Sequence, residues 1–116
     1  MMESAKVIDP GVSTADADYP KLCQVDDNLN VTFTDWRELE VEIIFVNAIA
    51  FRWHMVEEYI QGEEYDRCHI IENSKWLENH YKQKVVDASE SYNHYKFNFN
   101  ACGQLDVLAG EIKIKT

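Results

Sequence analysis

Residues 39–46 read LEVEIIFV, and this run is the strongest structural signal in the 116-residue chain. Its first residues alternate between apolar side chains and glutamates, as at Val41 and Glu42. A repeat of two residues is typical of a β-strand with one face in a core and the other in water. Ile44 and Val46 make both faces apolar toward the end of the run. We therefore predict a strand that enters the interior or is covered on both sides.

Shorter strands are predicted on both sides of this run. Residues 22–25 and 29–34 flank the polar turn at 26–28, which indicates a hairpin. Alternating apolar side chains predict two further strands, at residues 49–54 and 65–72.

A helix is predicted after these strands. Ser74 can cap the amide groups that open a helix, and apolar side chains at helical spacing follow it toward Lys84. Residues 55–62 also carry apolar side chains at helical spacing, and they are consistent with either a single helical turn or a loop.

The last third of the chain predicts another hairpin. Residues 95–99 alternate apolar and polar side chains, residues 100–103 turn the chain, and residues 105–115 form the return strand. Gly110 interrupts the return strand, which indicates a bulge.

Together these elements predict an α+β fold: mainly an antiparallel sheet of about six to seven short strands, with one main helix near residues 74–84 packed on it. Residues 1–20 are rich in Asp, Ser, Ala and Gly and are predicted to be a loosely ordered lead-in. Residues 21–116 are predicted to form a single α+β domain, because a chain of this length supports one core.

Composition excludes several classes of function. Hydrophobic residues make up 46% of the chain, which is too many for a disordered protein. Asp and Glu number 21 against 11 Lys and Arg, and a formal charge of -10 repels both nucleic acids and anionic membranes. No apolar run approaches the ~20 residues that a membrane span needs.

Cysteine usage and the N-terminal sequence bear on the compartment. The three cysteines, Cys23, Cys68 and Cys102, are widely separated and form no C-x-x-C pair, so we expect reduced thiols. Residues 1–12 have no basic segment followed by an apolar core, so no signal peptide is expected. Both observations predict a cytoplasmic protein.

Candidate catalytic and metal-binding residues are few. His54 with Glu57 and Glu58 could supply metal ligands, but no further ligand is indicated, and neither a metal nor a cofactor is expected. Cys68 and His69 are neighbours on a predicted strand and point to opposite faces, so they are not expected to form a catalytic pair. His80 is expected to be a half-buried structural residue.

A polar ladder follows one face of the predicted strand near residue 95. Its members are Tyr92, His94, Lys96, Asn98 and Asn100. We expect this face to meet water, with a ligand-binding surface as the alternative, because antiparallel sheets commonly expose one face.

Acidic side chains recur in two patches, and aromatic residues lie within the second. The residues expected to bind a partner are Glu38, Glu40, Glu42, Glu57, Glu58, Tyr59, Glu63, Glu64, Tyr65 and Asp66. Long-range charge would steer a basic protein toward such patches and the aromatic side chains would anchor it. The sequence therefore predicts a basic protein partner.

Three stretches resemble a family of small uncharacterised bacterial proteins: AFRW at residues 50–53, IENSKWL at 71–77, and FNACGQLDVL at 99–108 within 92–111. The resemblance spans residues ~30–115. Some of these proteins look like immunity proteins, which as a class are small, acidic and intracellular and bind one cognate toxin. The matching positions imply structural roles only. They are Trp76, Leu77, Gly103, Leu105 and Val107.

The leading hypothesis is a non-enzymatic acidic protein-binding domain, with an immunity protein that neutralises a cognate toxin as its specific form. One alternative is a small enzyme or ligand-binding domain with a pocket between helix and sheet, using His54, Glu57 and His94 as acid and base groups. Another is a structural subunit that forms a homodimer through an exposed sheet edge.

Overall fold

The computed structural model describes residues 2–55, 59–83 and 91–115. Within these ranges the chain forms nine strands and one helix. The strands are β1 (Ser4–Ile8), β2 (Lys21–Val25), β3 (Asn28–Thr34), β4 (Glu40–Val46), β5 (Ala50–His54), β6 (Cys68–Glu72), β7 (Asn93–Phe99), β8 (Gly103–Ala109) and β9 (Glu111–Lys115), and the helix is α1 (Lys75–Lys82).

The strands form two antiparallel sheets. One sheet has five strands in the order β1-β6-β7-β8-β5, and the other has four in the order β2-β3-β4-β9. The predicted fold class, mainly antiparallel sheet with one helix, is confirmed. The additional strands have two origins: β1 lies in the predicted lead-in, and the predicted return strand at residues 105–115 is divided into β8 and β9.

The two sheets pack face to face, and the hydrophobic core lies between them. Ile43 and Phe45 of β4 are fully buried, as the alternation in LEVEIIFV predicts. Phe45 packs edge-on against Phe97 of β7 with ring centroids 5.3 Å apart. Phe33 of β3 packs against Phe99 in the same way at 5.1 Å. Each such pair stabilises the fold by about 0.5–1.5 kcal/mol beyond the burial of its surface.

Gly110 marks the point at which the chain passes from one sheet to the other. Strand β8 belongs to the five-stranded sheet and β9 to the four-stranded sheet. The amide of Gly110 donates a hydrogen bond to the carbonyl oxygen of Val46 at 2.9 Å. The predicted bulge is therefore a crossing between sheets, and β8 and β9 share no ladder.

The N-terminal segment packs onto the rest of the domain. Residues 1–20 were predicted to be loosely ordered, and this is wrong where the segment forms a strand or is buried. Strand Ser4–Ile8 pairs with β6 along its full length. Thr14 is buried and donates a hydrogen bond to the carbonyl oxygen of Asn98 at 2.6 Å, and Ala17 joins the core. The turn-rich composition gave no sign of these partners, because they lie far away in the sequence.

The helix begins where the sequence predicts. Ser74 precedes it, and the Ser74 hydroxyl oxygen accepts a hydrogen bond from the amide of Leu77 at 3.1 Å. The helix ends at Lys82, and the predicted end at Lys84 lies outside the described residues. Of residues 55–62, those that are described form no helix. No helix in the described ranges is long and apolar enough to span a membrane.

Candidate functional site

The outer face of the five-stranded sheet carries a row of buried polar side chains. His94, Lys96 and Asn98 project from β7, and Gln104 and Asp106 project from β8. The sequence predicted that the β7 ladder meets water, and this is wrong because α1 and the segment before β6 cover it. Alternation shows which side chains share a face but does not show what packs over them.

Asp106 is the centre of this polar row, with a side chain that is 1% exposed. Its Oδ1 lies 2.6 Å from Nε2 of His94, and its Oδ2 lies 2.7 Å from Nε2 of His54. Arg52 adds a longer contact, Nε to Oδ2, at 3.3 Å. Burial by itself raises the pKa of Asp106, but the hydrogen bonds from His94 and His54 outweigh it and hold the pKa well below its usual range. The carboxylate is therefore ionised at neutral pH.

A chain of hydrogen bonds continues from Asp106 to the start of the helix. The Oγ atom of Ser74 lies 2.7 Å from Nδ1 of His94. Because the Ser74 oxygen accepts the amide hydrogen of Leu77, its own hydroxyl hydrogen is directed to Nδ1 of His94. The other ring nitrogen then carries the hydrogen that is donated to Asp106. Ser74, His94 and Asp106 thus form a continuous serine–histidine–aspartate relay.

Trp76 fixes the helix over this relay. Its ring meets the His94 ring edge-on, with centroids 5.3 Å apart. The guanidinium carbon of Arg52 lies 4.4 Å from the centroid of the Trp76 ring, which is close enough for a cation–π interaction. Because Arg52 also contacts Asp106, β5, β8 and α1 meet in one cluster.

Glu63 forms a second buried cluster on the same face. Its side chain is 0% exposed, and its Oε1 lies 2.8 Å from Nζ of Lys96. The side-chain amides of Asn98 and Gln104 donate to the same oxygen at 3.0 and 3.2 Å, and the amide of Ile60 donates to Oε2 at 2.9 Å. Four donors thus hold one buried carboxylate. Glu63 was predicted to bind a partner, but this placement makes it internal to the domain.

His69 ties the same covering segment to the sheet. Its Nε2 accepts the amide hydrogen of Glu64 at 2.9 Å, so Nδ1 carries the ring hydrogen and donates to the carbonyl oxygen of Lys96 at 3.1 Å. Burial lowers the pKa of His69 from its ordinary value of 6.5, and this outweighs the raising effect of the Lys96 carbonyl and nearby carboxylates. The neutral ring is the form that this geometry requires.

The remaining predicted partner-binding residues are divided between two faces of the molecule. Glu38 and Glu40 are exposed and Glu42 is partly exposed, with Lys115 at 3.9 Å. Glu40 and Glu42 lie on the outer face of the four-stranded sheet. The other described members lie in the segment over the five-stranded sheet. Tyr59, Glu64 and Tyr65 are exposed there and Asp66 is partly buried, while Glu57 and Glu58 lie outside the described residues.

The sandwich therefore separates the two predicted patches. Side chains on the outer faces of the two sheets point in opposite directions, because the core lies between the sheets. A partner of ordinary size that binds flat on one face does not reach the other. The two patches are thus separate candidates for a docking surface.

An open groove of about 650 Å³ runs along the first patch. Tyr19, Glu40 and Glu42 are among its lining residues. Asp18 also lines it, and the Asp18 amide donates a hydrogen bond to the carbonyl oxygen of Thr34 at 3.0 Å. The turn between β3 and β4 adjoins this end of the sheet. We define the acidic-aromatic surface as Asp18, Tyr19, Trp36, Glu38, Leu39, Glu40 and Glu42.

A metal or thiol site finds no support in the described part of the chain. No group of three or more His, Cys, Asp or Glu side chains among those residues is arranged to hold a metal ion. His54 contacts Asp106, and Glu57 and Glu58, the carboxylates predicted to accompany it, lie outside the described residues. Cys23, Cys68 and Cys102 are free cysteines, and burial raises the pKa of Cys68 to about 12, which suppresses its thiolate.

Sequence reasoning identified Ser74 as a helix cap and His94 as an acid or base group, but it missed Asp106. One signal for Asp106 was present, since it is the single charged side chain in strand Gly103–Ala109. A charged residue inside a buried strand requires a partner, and the sequence gave no means of identifying which residues supply it.

No protein family, curated protein or solved structure was found to match this chain significantly. The resemblance to small bacterial immunity-like proteins therefore stays a prediction.

Proposed function

We propose that this chain is a protein-binding domain that captures a basic partner protein on its acidic-aromatic surface. The supporting observation is the exposure of three large apolar side chains at one end of the four-stranded sheet. Tyr19 is 68% exposed, Trp36 is 61% exposed and Leu39 is 51% exposed. Clustered aromatic side chains that project into water are typical of the anchors that dominate binding energy in protein interfaces.

The turn that carries two of these anchors is rigidly held. Asp35 is buried, and its Oδ1 accepts hydrogen bonds from the amides of Arg37 at 2.9 Å and Leu39 at 3.0 Å. Its Oδ2 also accepts from the Arg37 guanidinium at 2.7 Å. Trp36 and Leu39 are thus presented in a fixed geometry. A pre-organised surface loses less conformational entropy on binding, so more of the contact energy appears as affinity.

Charge on this surface favours a basic partner. It carries the carboxylates of Asp18, Glu38, Glu40 and Glu42, and the lysines that line the same groove are Lys21 and Lys115. The whole chain has a formal charge of -10, which adds long-range attraction for a cationic protein. Such complementarity accelerates encounter and rejects acidic competitors.

The specific form of this function is that of an immunity protein. A toxin that acts on nucleic acid must carry positive charge to bind its substrate, and an acidic surface can occupy that charged cleft. The support for this form is the charge and the aromatic anchors of the acidic-aromatic surface, together with the sequence resemblance.

Paired variants on the two faces test the proposal. The chain carrying Trp36→Ala and Glu40→Lys disrupts the acidic-aromatic surface. The matched chain carrying Tyr65→Ala and Glu64→Lys makes the same kinds of change on the opposite face. Each chain is immobilised and exposed to native-host lysate, and retained proteins are identified by mass spectrometry and then titrated individually. Loss of an aromatic hot spot should weaken binding of the cognate partner by about 2 kcal/mol or more, which is roughly a 30-fold increase in Kd.

The proposal requires that the first variant loses a basic partner that the second retains. It also requires weaker binding when sodium chloride is raised from about 50 mM to about 500 mM, because salt screens exposed charges. Equal loss in both variants would instead indicate non-specific attraction to a negatively charged protein. Retention of the partner by the first variant would remove this surface from the interface.

A further inference from the structure

A second groove lies on the opposite side of the molecule, between α1 and the adjoining ends of β6 and β7. Its volume is about 640 Å³, which is within the range of pockets that hold small molecules. Ser74 and His94 are among its lining residues, and Ile70, Leu77 and Tyr81 give it apolar walls. The serine end of the relay therefore meets a space of substrate size.

The relay has the order that nucleophilic catalysis requires. Ser74 Oγ is 2.7 Å from one nitrogen of His94, and the other nitrogen is 2.6 Å from the buried carboxylate of Asp106. In such an arrangement the histidine can accept the serine proton, and the carboxylate orients the ring and stabilises its charged form. These hydrogen bonds set the ring orientation before any ligand binds.

The start of the helix also offers a donor for negative charge. The amide of Lys75 donates to Oε2 of Glu3 at 3.0 Å, and the amides of Leu77 and Glu78 donate to the side chain and carbonyl of Ser74. In the described part of the chain, the Trp76 amide is left without a hydrogen-bond acceptor in this first turn. A backbone N–H next to a nucleophile can stabilise the oxyanion formed during acyl transfer.

We propose that Ser74 is a nucleophile that His94 and Asp106 activate, and that this groove accepts uncharged carboxylic esters. Ser74 Oγ forms a bond to the ester carbonyl carbon as its proton passes to His94 Nδ1. The bond to the alcohol oxygen then breaks, and that oxygen takes the proton from His94 and leaves as the alcohol. Water attacks the acyl-serine with His94 as base, which releases the carboxylic acid and restores Ser74.

The groove lining also indicates which esters fit. Glu72 and Glu78 lie at the groove with the apolar side chains, so an anionic acyl group would be repelled. A short neutral acyl chain can pack against Leu77 and Tyr81. We therefore use p-nitrophenyl butyrate as the substrate probe and a fluorophosphonate as the probe for the activated serine.

The first experiment needs no substitution. The folded protein is incubated with the fluorophosphonate, and the adduct is located by intact mass and peptide mapping. One adduct on Ser74 is expected, and none after unfolding in urea, because only the relay makes the hydroxyl reactive. An absent adduct, or one on another residue, would overturn the proposal and leave Ser74 as a helix cap that satisfies a buried histidine.

Two variants then separate chemistry from folding. Ser74→Asn removes the hydroxyl but keeps a side chain that caps helices as well as serine does, so the fold should persist. Its rate of p-nitrophenyl butyrate hydrolysis should fall at least about 100-fold, as for loss of a catalytic group. Ser91→Ala changes an exposed serine near the same groove and should retain the full rate. Equal hydrolysis by wild type and Ser74→Asn would refute the assignment.

Discussion

Replacement of Asp106 by asparagine tests how much of the fold depends on one buried carboxylate. Asp106→Asn preserves the shape of the side chain and removes its charge. In the native structure the carboxylate accepts hydrogen bonds from His94 and His54, and it has the longer contact to Arg52. After the substitution, the new NH₂ group faces a nitrogen that formerly donated, so at least one buried bond must be lost or rearranged.

The size of the effect follows from those contacts. Loss of a hydrogen bond to a charged group costs about 1.5–3 kcal/mol, and both histidine contacts are of this kind. The Arg52 contact contributes little because that side chain is 52% exposed and its charge is screened by water. Asparagine keeps one oxygen acceptor, so we expect a loss of about 3 kcal/mol in the free energy of unfolding. For a domain near this size, that loss lowers the melting temperature by roughly 12 °C.

Urea unfolding followed by tryptophan fluorescence at neutral pH measures the change, with Asp27→Asn as the control. Asp27 is exposed, and its replacement should alter the free energy of unfolding by less than about 0.5 kcal/mol. If Asp106→Asn costs less than about 1 kcal/mol, the two histidine contacts do not stabilise the fold as their geometry indicates. An unchanged slope of free energy against urea is needed for the comparison to be valid.

Two further outcomes follow from the segment that covers the five-stranded sheet. Because burial lowers the pKa of His69, the unfolded chain binds a proton at this residue more readily than the folded chain does. The contribution of His69 to the free energy of unfolding is therefore complete above pH 6.5 and is lost as the pH falls below that value. Urea unfolding at about pH 7.5 and about pH 5.5 should therefore show that the free energy of unfolding falls less in His69→Gln than in the wild type. An equal fall in both chains would contradict this role of His69. Gly62→Ala should destabilise the protein by more than Gly11→Ala does. Both glycines have positive φ, so the backbone strain of the substitution is similar. A Cβ at Gly62 would lie 2.2 Å from the carbonyl oxygen of Ala5, whereas a Cβ at Gly11 would meet nothing within 4 Å. The melting temperatures of the two variants measure this difference, and equal shifts would show that Ala5 moves aside freely.

Several elements could be predicted because their signals are local. The alternation in residues 39–46 gave β4 and its buried face, and the two aspartates at 26 and 27 gave the hairpin between β2 and β3. Ser74 gave the helix start, because a hydroxyl before an apolar stripe satisfies amides three residues away. Each of these features depends on neighbours within a few residues, so the sequence carries the whole signal.

The polar row on β7 and β8 could not be predicted in the same way. The alternation placed His94 and Lys96 on one face, but the groups that cover them come from other parts of the chain. Glu63 reaches Lys96 across 33 residues of sequence, and His54 reaches Asp106 across 52. Contacts at such separations follow from the packing of whole elements, and no local pattern encodes them.

By itself, therefore, the sequence determined that this chain forms antiparallel strands with one capped helix, since strand period and helix capping are properties of adjacent residues. Only the tertiary structure decided that the strands divide into two sheets, that the acidic residues fall on opposite faces, and that Ser74, His94 and Asp106 form a relay. Those outcomes depend on which surfaces exclude water when distant segments pack together, and that is a property of the assembled fold.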